Sequence, residues 1–449
     1  MTQDHPRPLL RRGSICGLAA HGAAVGLGPG SRSKGEVGCT KVILNSRTST
    51  VTIEPMTTSG VFRMVDAPME RDRTEGFRFV RDAGDVFQTA DGVWLLTSAE
   101  AVQFAHRHPD IFASGPAYGS TSATPVPSVP VGIDPPAHIK YRKILDPMLA
   151  PRVINAMEEN LRAQVRDLVL AFADRGTCDV VREIARPYPT QVFLTLFGLP
   201  LADRDRLTEW VETQTEGTSG IGEQSPSVVK AETELLDYLQ RCIDDKRKQP
   251  GDDILSRVLS LEGEDVWSNE EVLGLAKIFT LAGLDTVTGA IGFMMLHLAR
   301  SPELRRRVVA DSALVGPLIE EVLRLEPPAP MIPRFTTQDI ELCGVHIPAG
   351  SPTLLILGTA NRDEARFEHP DRLDVDQAAQ GHVTFGGGIH RCLGSHLARR
   401  EMRLVVEEFH KLIPEYQIAP GFEPEAVWPS FTLHLPSLPL VFPVRGGAA

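Results

Sequence analysis

Paired cysteines are missing from this chain. Its six cysteines, at 16, 39, 178, 242, 343 and 392, are scattered with no C-x-x-C pair among them. That excludes a disulfide framework and fits a reducing, cytoplasmic location. Also missing is any uninterrupted apolar run of 18 or more residues. The longest stretch, Ala282 to Ala299, contains Asp285 and His297. On that ground no transmembrane anchor is expected. Positive charge is in deficit too, with 46 Lys and Arg against 58 Asp and Glu and a formal net charge of −12. General nucleic-acid binding needs a basic footprint, so that class is excluded.

What is present is ordinary for a soluble globular protein: 449 residues, 42% hydrophobic and 23% charged. This length suffices for one large domain with a substantial core. Residues 1–55 stand apart. Up to Thr50 there are seven Lys and Arg against two acids, glycine and alanine dominate, and aromatics are absent. Arg11-Arg12 before Ile15–Ala20 faintly suggests an export signal, but His21 and several glycines interrupt it. A basic, disordered N-terminal extension is the expectation, with the folded domain over 56–449.

From Met56 the pattern becomes globular. Val86–Thr89, Asp91-Gly92 and Val93–Thr97 read as strand, turn and strand, followed by a helix from Ala99 to His106. Ser114–Val131, rich in Pro, Gly, Ser and Thr, reads as a long irregular loop, and loops of that length usually carry function or are disordered. Asp134-Pro135-Pro136-Ala137-His138 opens a helix, with Arg142 four residues beyond His138 on the same face. Helical patterns continue to about Lys248. Ser268-Asn269-Glu270-Glu271 resembles a helix cap, opening a helix that runs to Arg300 and stops at Ser301-Pro302. Another helix covers Val315–Leu325. Short strands follow at Met331–Thr336, Ile340–Cys343 and Ser351–Leu357. The chain reads as one mainly α domain with a smaller β portion.

Four constellations carry chemistry. Near the C-terminus stands Phe385-Gly386-Gly387-Gly388-Ile389-His390-Arg391-Cys392-Leu393-Gly394, followed by an amphipathic segment over Ser395–Leu412. Glycines permit close backbone approach, and amides near a helix start favour a thiolate. The pattern suggests a backbone held close to something flat, with a thiolate aimed at it. A buried structural cysteine, a zinc site of His382, His390, Cys392 and His396, or a phosphate loop lacking its G-K-[ST] ending remain open on these residues alone. Within the long helix, Ala282-Gly283-Leu284-Asp285-Thr286 sets an acid beside an alcohol, and Gly283 costs about 1 kcal/mol relative to alanine there. That pair could relay protons to a bound oxygen species, or could be a packing site with a solvent-facing Asp285. Glu321-x-x-Arg324 is by itself most simply a surface ion pair. Arg334, in a strand, would need an anionic partner if it points inward.

In this order, Asp134-Pro-Pro-x-His138-x-x-x-Arg142, Ala282-Gly-x-Asp285-Thr286, Glu321-x-x-Arg324 and the loop ending at Cys392-Leu-Gly394 closely resemble the cytochrome P450 superfamily, in particular its soluble bacterial members. The resemblance spans about Met56 to Val444 and implies the single-domain fold of that family. It implies haem b with Cys392 as the axial thiolate and metal ligand, Phe385 beside the sulfur, and Gly386 and Gly394 letting amides approach it. His138, Arg142, Arg334 and His390 match positions that hold haem propionates. Asp285 and Thr286 match the catalytic acid–alcohol pair, and Glu321 and Arg324 match a structural pair. Gln377 stands where the family usually has an arginine completing that pair, and Arg372 is the candidate substitute.

The implied activity is a haem-thiolate monooxygenase that uses O2 and two electrons on a hydrophobic molecule such as a lipid, sterol, terpenoid or polyketide. The alternative is a non-catalytic haem protein that binds ligands or gases. No flavin or iron–sulfur domain follows Val444, which implies a separate ferredoxin or flavodoxin with its NAD(P)H reductase. Lys140, Arg142, Lys143, Arg391, Arg399, Arg400 and Arg403 form the basic cluster expected to receive it. The expected pocket lining is the Ser114–Val131 loop, Ile278, Phe279, Ala282, Met331, Ile332 and the turn at Ser430-Phe431.

Overall fold

The computed structural model describes residues 40–44, 51–55, 62–119, 126–216, 225–376 and 381–444. The chain divides into residues 1–60 and residues 61–449. In the first unit the described residues are two strands, β1 (Thr40–Leu44) and β2 (Val51–Pro55), paired antiparallel with Thr40 opposite Pro55. The remainder of the basic extension lies outside the described residues.

The second unit begins with a sheet edge. α1 (Arg73–Arg81) starts at Asp72, whose carboxylate accepts from the Thr74 and Glu75 amides. β3 (Val86–Gln88) and β4 (Trp94–Leu96) pair antiparallel, as the sequence predicts, across a turn with Gly92 at φ 85°. α2 (Ala99–Arg107), β5 (Phe112–Ala113) and the short α3 (Gly115–Gly119) lead into the proline-rich loop. Residues 120–125 of that loop lie outside the described residues.

A helical body follows: α4 (Ala137–Met148), α5 (Pro151–Leu170), α6 (Pro187–Phe197), α7 (Arg204–Glu216), α8 (Pro226–Lys248) and α9 (Ile254–Leu259). Between α5 and α6 lies β6 (Thr177–Asp179), which sequence reading passes over because its partner is far along the chain. α10 (Asn269–Arg300) begins in a capping box of Ser268 and Glu271 and ends at the predicted Ser301-Pro302. α11 (Pro302–Ala310) and α12 (Val315–Leu325) complete this part.

The remaining chain returns to the sheet through β7 (Met331–Thr336), the hairpin β8 (Ile340–Leu342) and β9 (Val345–Ile347), and β10 (Pro352–Ile356). The five strands run in the order β3-β4-β10-β7-β5, with β10 parallel to β4 and antiparallel to β7. Then come α13 (Leu357–Ala360), the cysteine loop, α14 (Ser395–Leu412), β11 (Gln417–Ile418) and β12 (Pro439–Val441). β12 joins β11 to β6 in a second sheet.

α10 is apolar around most of its circumference, which is the composition of a core helix. By length and composition it could cross a membrane, yet here it is the buried centre of the fold: Phe293, Met294, Met295, Leu296 and Leu298 are wholly enclosed. Its glycines divide by function. A Cβ on Gly274 would lie 1.9 Å from the Pro127 carbonyl oxygen, and one on Gly289 would lie 2.4 Å from that of Leu433. Those two glycines therefore let the proline-rich loop and the C-terminal segment lie directly on the helix. Gly283, singled out from the sequence, has nothing among the described residues within 4 Å of a Cβ position, so they give it no packing reason.

The E-x-x-R pair is not on the surface. Both side chains of Glu321 and Arg324 are only 3% exposed and are joined by two bonds of 2.9 and 3.0 Å. Arg324 also donates to the carbonyls of Asn361, Pro370 and Arg372, and Glu321 accepts the Asp374 amide at 2.9 Å. Gln377 lies outside the described residues. The Arg372 guanidinium does not take its place: that side chain is exposed, and its backbone carbonyl serves the network instead.

Two substitutions test the helix-packing argument. Gly283→Ala should raise stability by up to about 1 kcal/mol, the helix-propensity gain. Gly289→Ala should lower it by about 1–3 kcal/mol through overpacking. Urea unfolding of both variants checks the contrast.

Candidate functional site

The cysteine loop is built against α2. Cys392 closes it by donating its amide to the Phe385 carbonyl at 2.8 Å. Gly386 and Gly388 have φ of 66° and 61°, which favours glycine. A Cβ on Gly388 would lie 2.0 Å from the His106 carbonyl oxygen, and one on Gly387 would lie 3.1 Å from the His106 Cβ. Two of the three glycines thus serve His106 at the end of α2. This refines the expectation that the glycines exist for close approach to a flat partner.

Cys392 itself is exposed, with many protein atoms around its sulfur. Burial pushes its thiol up, while the Gly394 amide and the positive charges of Arg142, Arg399 and Arg391 pull it back down. Phe385 lies under the Arg399 guanidinium, 4.3 Å from its ring centre. Arg399 in turn bonds Glu320 at 2.6 and 2.8 Å, and His382 reaches the same carboxylate at 3.1 Å. Burial works against charge on Glu320, but those hydrogen bonds outweigh it and hold the carboxyl at about 2.

Beside the loop the structure gathers a set of cationic and imidazole groups. Arg334, on β7, is buried and donates to the Pro333 carbonyl at 2.7 Å; Tyr118 is also bonded to it. Among the described residues it forms no ion pair with a carboxylate. Burial lowers its pKa, with Tyr118 and the more distant Asp134 opposing. His138 and His390 meet ring to ring at 4.5 Å. Both ring nitrogens of His106 and of His390, and Nε2 of His138, are buried without a hydrogen-bond partner among the described residues. Burial, and then Arg334, pushes His390 down to about 3 and His106 to about 4. Orphaned buried donors are costly, so a cluster of them beside a buried arginine is a receptor for negative charge.

Of the expected propionate residues, His138, His390 and Arg334 converge here. Arg142 turns instead to Asp146 at 2.7 Å and the Arg391 carbonyl at 2.8 Å. His106 and Tyr118 belong to the cluster but were not anticipated, because neither sits in a recognisable motif. The zinc alternative fails on geometry: among the described residues no group of three or more His, Cys, Asp or Glu converges as a metal site.

On α10, Thr286 donates to the Ala282 carbonyl at 2.7 Å, the predicted back-bond. Ala282 is exposed although it lies mid-way along a core helix. Asp285 is 6% exposed, which rules out the solvent-facing reading. Its carboxylate accepts from the Thr432 hydroxyl, and His434 Nδ1 stands 4.0 Å from its other oxygen. Ile278, Phe279, Met331 and Ile332 are half-buried, as expected of an apolar lining. Ser430 is buried and donates to the Thr215 carbonyl at 3.3 Å.

The basic cluster is largely neutralised. Lys140 pairs with Glu271, Arg142 with Asp146, Lys143 with Asp265, Arg399 with Glu320, Arg400 with Glu158 and Arg403 with Glu407. Of the seven residues, Arg391 alone has no carboxylate partner among the described residues.

The model of the family described as Cytochrome P450 matches residues 86–417. The vitamin D(3) 25-hydroxylase of Pseudonocardia autotrophica is 34% identical over 76% of this chain and 85% of its own length. The methyl-branched lipid omega-hydroxylase of Mycobacterium tuberculosis is 31% identical over 79% and 85%. Among solved structures, a mutant of P450 EryK in complex with erythromycin B is 28% identical, with a TM-score of 0.78 over 86% of this chain and 99% of that one.

Replacing Glu320 by Gln tests the electrostatic frame around the loop. A carboxyl held below its ordinary 4.5 stabilises fully above that value and loses its contribution as pH falls toward about 2. The variant should therefore be less stable by about 1–2 kcal/mol at neutral pH. In urea unfolding measured across pH, that gap should narrow on acidification.

Proposed function

Since the chain belongs to the cytochrome P450 family, whose members are haem b monooxygenases with a cysteine thiolate ligand, we propose that Cys392 supplies that thiolate. The same proposal gives Asp285 and Thr286 the protons of oxygen activation. The observation that carries this reading is the donor set beside Cys392. Buried Arg334, with no carboxylate of its own among the described residues, stands with the partnerless nitrogens of His106, His138 and His390. Two carboxylates of a porphyrin are the ligand such a set suits, through charge-assisted hydrogen bonds.

When bound, haem b with a thiolate ligand supplies an electron-rich iron that favours O–O cleavage. The chain does the rest. Arg334, His138 and His390 would hold the haem's carboxylates. The Gly394 amide, which already favours the thiolate, bonds the sulfur and tempers its charge. Thr286, on letting go of the Ala282 carbonyl, can donate its proton across the open face at Ala282, and Asp285 replenishes it.

The substrate is a hydrophobic small molecule of sterol, lipid or macrolide kind. Support comes from the apolar residues Ile278, Phe279, Met331 and Ile332, and from relatives named for vitamin D(3) and a methyl-branched lipid. Electrons arrive from a separate ferredoxin or flavodoxin with its NAD(P)H reductase. With six of the seven basic residues already paired, docking would rest more on Arg391 and surface shape than on a strong positive field.

Reduced protein under carbon monoxide should show the strongly red-shifted Soret band of thiolate ligation, and Cys392→Ala should lose it. Arg334→Ala should release haem to apomyoglobin faster than the parent. Thr286→Ala should consume electrons at near-parental rate while product yield falls and peroxide rises. Sterols, branched fatty acids and macrolides should shift the Soret band. If only highly charged compounds did so, the substrate reading would fall.

A further inference from the structure

Behind α10, on the side of Asp285, lies a small cavity, walled by the apolar Leu284 and Val211 as well as by polar side chains. Its buried lining includes Asp285, His434, Thr288 and Thr190, and its more exposed lining includes the outer pair Arg186 and Glu212. The outer pair is a 2.8 Å ion bridge whose side chains are 20% and 31% exposed, whereas those of Asp285 and His434 are 6% and 3% exposed. The cavity thus runs from partly wet to nearly dry. Its walls hold polar groups in place: Thr288 donates to the Ala185 carbonyl at 2.9 Å, and the Thr190 and Thr208 hydroxyls meet at 3.2 Å.

His434 reaches this point because of Gly289. Leu433 donates its amide to the Pro328 carbonyl at 2.7 Å, and its own carbonyl occupies the space a Cβ at Gly289 would need. The His434 Cβ would lie 3.5 Å from the same position. One helical turn before Gly289 stands Asp285, gripped by Thr432 and faced by His434 Nδ1. The C-terminal segment therefore brings both a fixed hydroxyl and a titratable ring to the carboxylate.

We propose that His434 is a positioning and proton-supplying residue for Asp285, drawing protons through the cavity mouth at Arg186 and Glu212. A proton from water in the cavity binds His434 Nδ1, passes to Asp285 Oδ1, and leaves the imidazole neutral. The separation of 4.0 Å exceeds a direct hydrogen bond and is closed by a small ring rotation or one bridging water. The protonated carboxyl then swings from Thr432 toward Thr286. The charged groups facing His434 across the cavity are Asp285 from α10, Arg186 at the start of α6 and Glu212 from α7.

This rests on Asp285 being the acid of the pair, so the test separates the two claims. In the diamagnetic, reduced, carbon monoxide form of the holoenzyme, the His434 imidazole is followed by NMR with labelled histidine and assigned through His434→Gln. The resonance of its Nδ1 should move in Asp285→Asn, because the ring loses the carboxylate it faces at 4.0 Å. An unchanged resonance overturns the proposal, even if Asp285→Asn uncouples turnover. His434→Gln should lower product formed per electron consumed and alter the pH profile of that ratio, with KM unchanged. A parental pH profile in that variant also overturns it. If the His434 Nδ1 resonance moves but Asp285→Asn stays fully coupled, the acid assignment fails and the relay fails with it.

Discussion

The buried pair of Glu321 and Arg324 is the constraint from which the haem-side architecture hangs. Two charges removed from water are tolerable only when each finds full hydrogen bonding. Arg324 meets that requirement with the Glu321 carboxylate and three backbone carbonyls, and Glu321 takes the Asp374 amide in addition. The cost of leaving any of these unmade fixes where the segment from Asn361 to Asp374 runs. From there the order is passed on: Asn361 bonds the Val383 amide and the Thr384 hydroxyl, and Thr384 returns to the Leu323 carbonyl of α12. The cysteine loop begins one residue later. The position of Cys392 is in this sense inherited from an ion pair far earlier in the chain.

Around that frame, electrostatics is divided by sign. On the outer side of α4 and α14, basic residues are matched one for one by acids, so little field remains. Beside Cys392 the opposite holds: among the described residues Arg334 has no carboxylate partner, and ring nitrogens of His106, His138 and His390 have no hydrogen-bond partner. A protein that neutralises exposed charge yet leaves buried donors unsatisfied has placed that imbalance where a ligand relieves it.

Local signals in the sequence were read well. The cap at Ser268, the stop at Ser301-Pro302, the strand and turn around Gly92 and the cysteine loop each depend on residues within a few positions of one another. What escaped depends on tertiary neighbours. β6 needs β12 to exist, and the need for Gly387 and Gly388 comes from His106 of another helix. Gly283 looked significant and is not crowded, while Gly274 and Gly289 are, because crowding is a property of what lies opposite. The burial of Asp285 and of the E-x-x-R pair was likewise invisible, since the same letters serve equally on a surface. His434 and Thr432 carried no motif at all; only the fold brings them to α10.

The carboxylate of Asp134 accepts the amides of Ser114 and Gly115, both at 2.8 Å. The intervening segment therefore departs from and returns to one tied point, with a second anchor where Pro127 rests on Gly274. Tyr118 follows closely on those two tied amides and bonds the buried Arg334 guanidinium. One carboxylate thus also steadies the ring that meets the arginine, so a change at Asp134 would be felt at Arg334 without touching it.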